Sequence, residues 1–138
     1  MLSSKNKSFL LVSLIFLLGS CTVTTTRTKD PVFNDINQVE QELRGLITAE
    51  NINLNGKEIT SNKKTTSELE VSITNGKNIP AGDDERKALG KSIATTIKNN
   101  LKDSREFDTY KVLFVTKTES GGLTKRNWVG NIFSSTEL

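Results

Sequence analysis

Apolar residues at spacings of three and four predict two amphipathic helices in this chain. The first begins after Asn34 or Asp35, since either side chain can cap a helix N-terminus. The second begins at a run of three acids, residues 83–85, which suits the positive end of a helix dipole. The apolar stripes are Ile36, Val39, Leu43 and Leu46 or Ile47 in the first helix, and Leu89, Ile93, Ile97 and Leu101 in the second. Each helix therefore has one face that suits a core.

Alternation of apolar and polar residues predicts the first pair of strands. Residues 49–60 and 69–73 both show this period of two, and the polar segment 61–64 joins them as a loop. The dipeptide Asn55-Gly56 is also typical of a tight hairpin turn, which would split the first strand in two. Both interpretations place strand structure between the two helices.

A second pair of strands is predicted after the second helix. Residues 110–115 carry β-branched and aromatic side chains on both faces, which is typical of a central strand. Residues 119–122 suit a hairpin loop, residues 123–133 return as the last strand, and residues 134–138 are expected to fray. The order α-β-β-α-β-β predicts an α+β two-layer sandwich, with two helices on one face of a four-stranded, mainly antiparallel sheet.

The N-terminal residues have the order of charges and apolar side chains found in export signals. Two lysines precede an almost wholly apolar run, residues 9–18, and small residues lead from it to Cys21. A run of this length matches a secretory signal, whereas a membrane-spanning helix needs about 20 residues, so a transmembrane anchor is the weaker interpretation. The segment Leu18-Gly19-Ser20-Cys21 resembles the lipobox of bacterial lipoproteins, and the resemblance covers residues 1–21 only.

This resemblance implies that Cys21 becomes the lipidated first residue of the mature protein, carrying a thioether-linked diacylglycerol and an N-acyl chain. The other interpretation is an incidental cysteine beside an ordinary cleavage site. It is weakened because the chain has only one cysteine, which cannot form an intramolecular disulfide. Thr22 stands where the enterobacterial sorting pattern has Asp for inner-membrane retention, which implies an outer-membrane location in a source that has one.

The expected domain organisation follows from these segments. Residues 1–20 are the signal peptide, residues 21–31 the lipidated cysteine with a Thr-rich tether, and residues 32–138 a single small α+β domain. Removing the signal takes away two lysines and no acid, so the net charge falls from +3 to +1. Domains that bind nucleic acid are usually strongly basic, so we expect no nucleic-acid partner. The expected partners are a membrane, through the lipid anchor, and another envelope protein.

Residues needed for common catalytic and metal sites are missing from the sequence. The chain has no histidine, its one cysteine is assigned to lipid, and no phosphate-binding glycine motif occurs. We therefore expect no enzyme activity, no metal and no cofactor beyond the covalent lipid on Cys21. Glu68 with Glu70, or the acids Asp83, Asp84 and Glu85, could supply an acid and a base or bind Ca²⁺. A polar strand face and a helix N-terminus explain the same residues.

Two groups of cations are candidate contact surfaces. Lys125 and Arg126 precede Trp128, and a cation beside an aromatic ring can bind bases, sugars or a protein surface. The position of Trp128 within a strand favours burial, and exposure would instead mark it as a binding residue. Four lysines of the second helix lie away from its apolar stripe: Lys87, Lys91, Lys98 and Lys102. They form either a solvated outer face or a basic stripe that rests on anionic lipid headgroups.

Two functions from different classes fit the sequence. The first is a non-catalytic interaction module or accessory subunit of the cell envelope. The second is a binder of a small molecule, glycan or lipid, in a pocket between the helices and the sheet or near Trp128. An apolar patch on the sheet made by exposed Trp128, Tyr110 or Val129 would favour a protein partner.

Overall fold

The computed structural model of the protein describes residues 23–138, so the expected signal peptide and Cys21 lie outside the described residues. This part of the chain forms two α-helices and five β-strands. The helices are α1 (Ile36–Leu46) and α2 (Asp83–Asn100). The strands are β1 (Thr24–Thr28), β2 (Asn51–Ser61), β3 (Lys64–Thr74), β4 (Thr109–Ser120) and β5 (Leu123–Ser134).

One sheet contains the five strands in the order β1-β2-β3-β4-β5. All neighbours pair antiparallel except β3 and β4, which run parallel. Parallel strands need a long crossover between them, and α2 lies in that connection. The α+β class and the mainly antiparallel sheet are therefore confirmed, whereas the prediction of four strands is wrong.

The fifth strand, β1, lies in the stretch that the sequence predicts as a tether. Its residues, Thr-Thr-Thr-Arg-Thr, are all exposed, so no apolar alternation marks it as a strand. Its order comes from pairing with β2, which places Thr24 opposite Ser61 and Thr28 opposite Lys57. The ordered domain therefore includes residues from Thr24 onward instead of starting at residue 32.

Both helices pack on the same face of the sheet. Alternate strand residues point to this face, and those of β3, β4 and β5 form one core with the helices. The core side chains of the three strands are Leu69, Val71, Ile73, Tyr110, Val112, Phe114 and Phe133, and those of the two helices are Val39, Leu43, Ile93, Ala94 and Ile97. The two-layer arrangement with both helices on one side agrees with the sequence prediction.

The helix starts follow the predicted chemistry in part. Asp35 caps α1, because its carboxylate accepts hydrogen bonds from the backbone N–H groups of Asn37 and Gln38. The residue that caps α2 is Gly82, which has no side chain to accept such a bond. The acids 83–85 lie in the first turn of α2, where they oppose the positive end of the helix dipole.

Two local predictions are settled by the backbone. β2 runs without a break through Asn55 and Gly56, so the chain makes no hairpin turn there. Residues 134–138, which the sequence predicts to fray, instead include a 3₁₀ turn, Ser135–Glu137. Ser134 and Glu137 complete a capping box at its start, which ties the chain to the end of β5.

Candidate interaction surface

The second face of the sheet, which we call the open face, carries the strand residues that alternate with the core. Its side chains on β3 and β4 are half-buried, and those on β5 are mostly exposed. Both helices lie on the other side. The open face is therefore a broad surface that no helix covers, and most of the candidate site residues on the strands lie on it.

Two ion pairs occupy the middle of the open face. Lys57 Nζ lies 2.9 Å from Glu68 Oε1, and Lys111 Nζ lies 2.9 Å from Glu70 Oε2. The contact with the Glu68 carboxylate raises the pKa of Lys57 above its ordinary value. Glu68 and Glu70, which the sequence marks as a possible acid and base, are thus each paired with a lysine of a neighbouring strand.

An apolar patch lies beside these ion pairs, on β4 and β5. Trp128 is 66% exposed and Ile132 is 61% exposed, and the half-buried Val115 pairs with Trp128 across the ladder. Leu113 of β4 lies opposite Gly130, which is midway between Trp128 and Ile132 on β5. We call this set, Leu113, Val115, Trp128 and Ile132, the Trp128 patch. The expectation that Trp128 is buried is wrong, because it lies on the open face of an edge strand.

Gly130 separates the two exposed members of the patch and lies opposite Leu113. A Cβ at Gly130 would collide with the Leu113 side chain and with the carbonyl oxygen of Val112. The Leu113 side chain therefore occupies the space that Gly130 leaves free. The surface therefore has a shallow depression between Trp128 and Ile132, and the Leu113 side chain forms its base.

The cations next to Trp128 divide between the two faces of the sheet. Arg126 lies on the open face with Trp128, since the two are separated by two positions on β5. Lys125 lies on the opposite face of β5, so the sequence neighbours Lys125 and Arg126 do not form one site with the ring. The cation across from Arg126 is Lys117, which is paired with Glu119 at 2.6 Å.

Asn75 holds the part of β4 that carries Val115. Its backbone N–H donates to the carbonyl of Val115, and its side-chain oxygen accepts from the N–H of Lys117, both at 2.8 Å. The Asn75 amide group also donates to Glu50 at 2.6 Å. Asn tolerates the positive φ of 50° that this position requires. Asn75 thus continues the hydrogen bonding to β4 just past the end of β3, and it holds the strand that lies opposite Trp128.

Other residues expected in an apolar patch lie elsewhere. Tyr110 is fully buried in the core, and Val129 lies on the opposite face of β5 from Trp128. Leu113, Val115 and Ile132 were not expected there. The signal for Ile132 was present, because residues two and four positions apart on a strand share a face.

The four lysines that the sequence assigns to the second helix do not share one environment, and Lys102 lies beyond the end of α2. Lys98 is half-buried, and its ammonium group donates to the carbonyl of Ser135 at 2.5 Å and to the carbonyl of Leu138 at 3.2 Å. The remaining three, Lys87, Lys91 and Lys102, are exposed. Lys98 therefore fastens the C-terminal turn to α2, while the other three form the solvated part of the stripe.

A groove of about 430 Å³ lies between α1 and β2, on the helix side of the sheet. Val39, Leu43 and Ile47 form its α1 side, and Ile52 and Leu54 line it from β2. Charged residues in its lining are Glu40, Arg44 and Glu50. The groove is the concave feature that suits the expected pocket between the helices and the sheet.

One of the three acids at the start of α2 has a local partner. Asp83 is paired with Arg86, which also donates to the carbonyls of Pro80 and Ala81. Across residues 23–138, the acids and other possible ligands form no cluster of three or more placed to hold a metal ion. None of the helices within that range is long and apolar enough to span a bilayer.

No protein-family model, no curated protein and no solved structure matches this chain.

Proposed function

We propose that the chain is a lipid-anchored lipoprotein of the cell envelope and that its folded domain is a non-catalytic interaction module for another envelope protein. The observation that carries the interaction role is the exposure of the chain's one tryptophan in the Trp128 patch. The anchor rests on the lipobox resemblance at residues 18–21. An outer-membrane location follows from Thr22 in a source with two membranes.

The exposure of Trp128 favours a partner on energetic grounds. Covering a large aromatic side chain removes about 150–250 Å² from water. At about 25 cal/mol per Å², and with two-thirds of this ring exposed, a partner would gain roughly 3 kcal/mol from Trp128 alone. Ile132 and Val115 extend the same apolar surface, so one partner group could cover all three.

The surroundings of the patch have the arrangement of a protein-binding site. Arg126 lies on one side of Trp128, and the Lys111–Glu70 ion pair lies next to Ile132 and Leu113. An apolar centre with a polar rim is typical of protein interfaces, and Trp and Arg supply a large share of their binding energy. The strand beneath the patch is well supported, because β4 is paired on both sides as far as Val115.

Crosslinking in intact cells, followed by purification of the acylated protein, tests this proposal. We expect one protein to be recovered near stoichiometrically and to be lost when Trp128 is changed to Ala. Leu123→Ala is the matched control, because Leu123 is 79% exposed on the same strand but lies on the opposite face. Retention of the partner by Trp128→Ala, or the recovery of no enriched protein, would contradict the interaction role.

A second candidate function is binding of a small molecule, glycan or lipid, and the groove between α1 and β2 favours it. The lining of the groove combines apolar side chains with a few charged ones, as in ligand sites. Widening its wall by Leu43→Ala, or narrowing it by Ala49→Leu, would change ligand binding but leave the Trp128 patch intact. Native mass spectrometry of the protein purified from its source would show the bound ligand as added mass.

A further inference from the structure

The three strands β1, β2 and β3 continue past the rest of the sheet at one end. β4 pairs with β3 from Glu68 onward, and Ser67 is hydrogen-bonded to Asp108 just before β4, so the first three residues of β3 have no partner on that side. At about 3.3 Å per residue, this end projects roughly 10 Å beyond that contact. We call this part of the sheet, residues 23–28 with residues 59–66, the basic extension.

The basic extension carries three cations and no acid. Arg27, Lys63 and Lys64 are all exposed, and none of them takes part in an ion pair with residues 23–138. The acid at its base, Glu58, lies directly opposite Arg27 in the β1–β2 ladder and is paired with Lys29 at 3.5 Å. A mature chain of net charge +1 thus concentrates three unpaired positive charges at one end.

The proposed anchor enters the domain at this same end. β1 runs antiparallel to β2, so its first residue, Thr24, lies opposite Ser61 at the tip of the β2–β3 hairpin. The Thr24 hydroxyl donates to the Ser61 hydroxyl at 3.4 Å. Val23, which precedes it, is 74% exposed beyond the last pair of the ladder. The chain therefore leaves the domain toward its N-terminus beside Lys63 and Lys64.

The distance to the anchor is short because the expected tether is a strand. Only Thr22 and Val23 lie between Cys21 and Thr24. Three residue steps span at most about 11 Å when fully extended. Electrostatic attraction at physiological salt extends about 8 Å into solution, so charges at the hairpin tip fall within reach of lipid phosphates. The strand thereby brings the hairpin tip within reach of the lipid surface.

We infer that the basic extension is a membrane-contact surface, whose Arg27, Lys63 and Lys64 bind the phosphate groups of anionic phospholipids in the leaflet that holds the anchor. This inference rests on the proposed lipidation of Cys21. It places Lys63 and Lys64 at the membrane and the β4–β5 hairpin at the distal end. That distal hairpin lies at the end where β3 and β4 finish, so the Trp128 patch is held away from the lipid surface.

The arrangement also separates the basic extension from the lysines of α2. α2 begins beyond the end of β3 and returns toward the start of β4, so Lys87 and Lys91 in its first half lie toward the distal end. These two lysines have the same charge and exposure as Lys63 and Lys64 but lie at the other end of the molecule. Variants of Lys87 and Lys91 therefore control for an effect of the net charge of the protein.

The test measures the distance of two labelled positions from the lipid headgroups in the full acylated protein. Since Cys21 is the one native cysteine and its thiol would be bonded to lipid, an introduced cysteine is the one free thiol for a dye. Thr65→Cys labels the basic extension and Ser120→Cys labels the distal hairpin. The proteins are reconstituted into vesicles of anionic phosphatidylglycerol and neutral phosphatidylethanolamine that contain a headgroup-bound quencher.

We expect strong quenching at position 65 and weak quenching at position 120. Lys63→Glu with Lys64→Glu should reduce the difference in anionic vesicles, whereas Lys87→Glu with Lys91→Glu should leave it unchanged. Equal quenching at the two positions in the natural sequence overturns the inference, as does a difference that charge reversal at Lys63 and Lys64 leaves unchanged. An effect of this reversal on a protein crosslink alone, without a change in quenching, also overturns it.

The anchor is tested separately in the same preparation. Mass spectrometry of the purified protein should show diacylglycerol and an N-acyl chain on Cys21, and Cys21→Ala should leave the membrane fraction. If the lipid is present and positions 65 and 120 are quenched equally, only the orientation fails. If Cys21 carries no lipid, the proposed lipoprotein fails, and the membrane contact that rests on it fails too.

Discussion

Trp128 lies directly opposite Val115 in the β4–β5 ladder, and both side chains project from the open face of the sheet. The strand beneath them is fixed from the other side by Asn75. An exposed aromatic ring on so well supported a strand would lose little order if a partner covered it, which supports the proposed interaction role. The predictions below concern this surface and the forces that hold the domain together.

Trp128→Ala should weaken partner binding with little effect on folding. Truncation of a central aromatic residue typically costs about 2 kcal/mol or more, which is roughly a thirtyfold loss of affinity. The free energy of unfolding should change by less than about 1 kcal/mol, because the ring is 66% exposed. Titration with the captured partner and urea unfolding measure the two effects. An equal loss of binding in Leu123→Ala would show that the open face has no special role.

Two glycines should respond to alanine with opposite signs. A Cβ at Gly56 would meet the Lys29 carbonyl oxygen and come within 2.9 Å of the Phe107 ring, so Gly56→Ala should cost about 1–3 kcal/mol. At Gly45 in α1 a Cβ would meet nothing within 4 Å, so Gly45→Ala should stabilise the protein by roughly 0.5–1 kcal/mol. Urea unfolding curves of the two variants give the comparison. A tolerant response at Gly56 would mean that β1 and Phe107 are loosely held.

Asp108 should make the stability depend on pH in the acid range. The Ser67 backbone N–H donates to its carboxylate at 2.7 Å and the Ser67 hydroxyl at 3.0 Å, and these bonds lower the pKa of Asp108 below 3.8. A lowered pKa in the folded state contributes stability above the unfolded pKa, and this contribution disappears as the pH falls through the folded value.

The Asp108→Asn variant should therefore be less stable than the natural protein at pH 7, and the difference should shrink below about pH 3.8. Thermal unfolding at several pH values measures the difference. Asp30→Asn is the control, since Asp30 is exposed outside the helices and its side chain makes no hydrogen bond or ion pair with residues 23–138. A constant difference across this range would show that the Ser67 contact does not act through the charge of Asp108.

Tyr110 should limit stability at alkaline pH. Its ring is fully buried against Phe107, and its hydroxyl has no hydrogen-bond partner among the described residues. Burial raises the pKa of Tyr110 from 10.0 to about 12. Because the unfolded chain loses this proton first, the natural protein should lose stability as the pH rises above 10.

Tyr110→Phe removes the unpaired hydroxyl without changing the shape of the ring. At pH 8 the variant should be as stable as the natural protein or more stable by up to about 1 kcal/mol, since no hydrogen bond is lost. At pH 11 its advantage should be larger. Urea unfolding at the two pH values decides this, and a clear loss of stability at pH 8 would reveal a partner for the hydroxyl.

The sequence predicts those helices and strands whose apolar residues recur with the period of the element and form its buried side. Asp35 marks the start of α1, and the fourfold stripe of Ile93 and Ile97 marks the buried face of α2. β1 escaped prediction because its five polar residues have no buried side. Such a strand is held by backbone hydrogen bonds to β2, and these leave no trace in side-chain type.

The candidate surface could also be predicted only in part, because its composition depends on how the strands pair and on where the helices pack. A period of two groups Trp128 with Ile132, but it does not say which face of the sheet the helices cover. Phe133 is the buried residue of β5, and it has the opposite parity to Trp128. The position of Arg126 beside Trp128 follows from the same parity, whereas the contribution of Leu113 and Val115 depends on the register of β4.

The most direct test of the interaction role is photocrosslinking in living cells from position 128. A photoreactive amino acid replaces Trp128 in one strain and Leu123 in a second, with the lipid anchor intact in both. We expect illumination to join one envelope protein to position 128 and not to position 123. Crosslinks of equal yield from both positions, or none from position 128, would contradict the account of the Trp128 patch as a protein-binding surface.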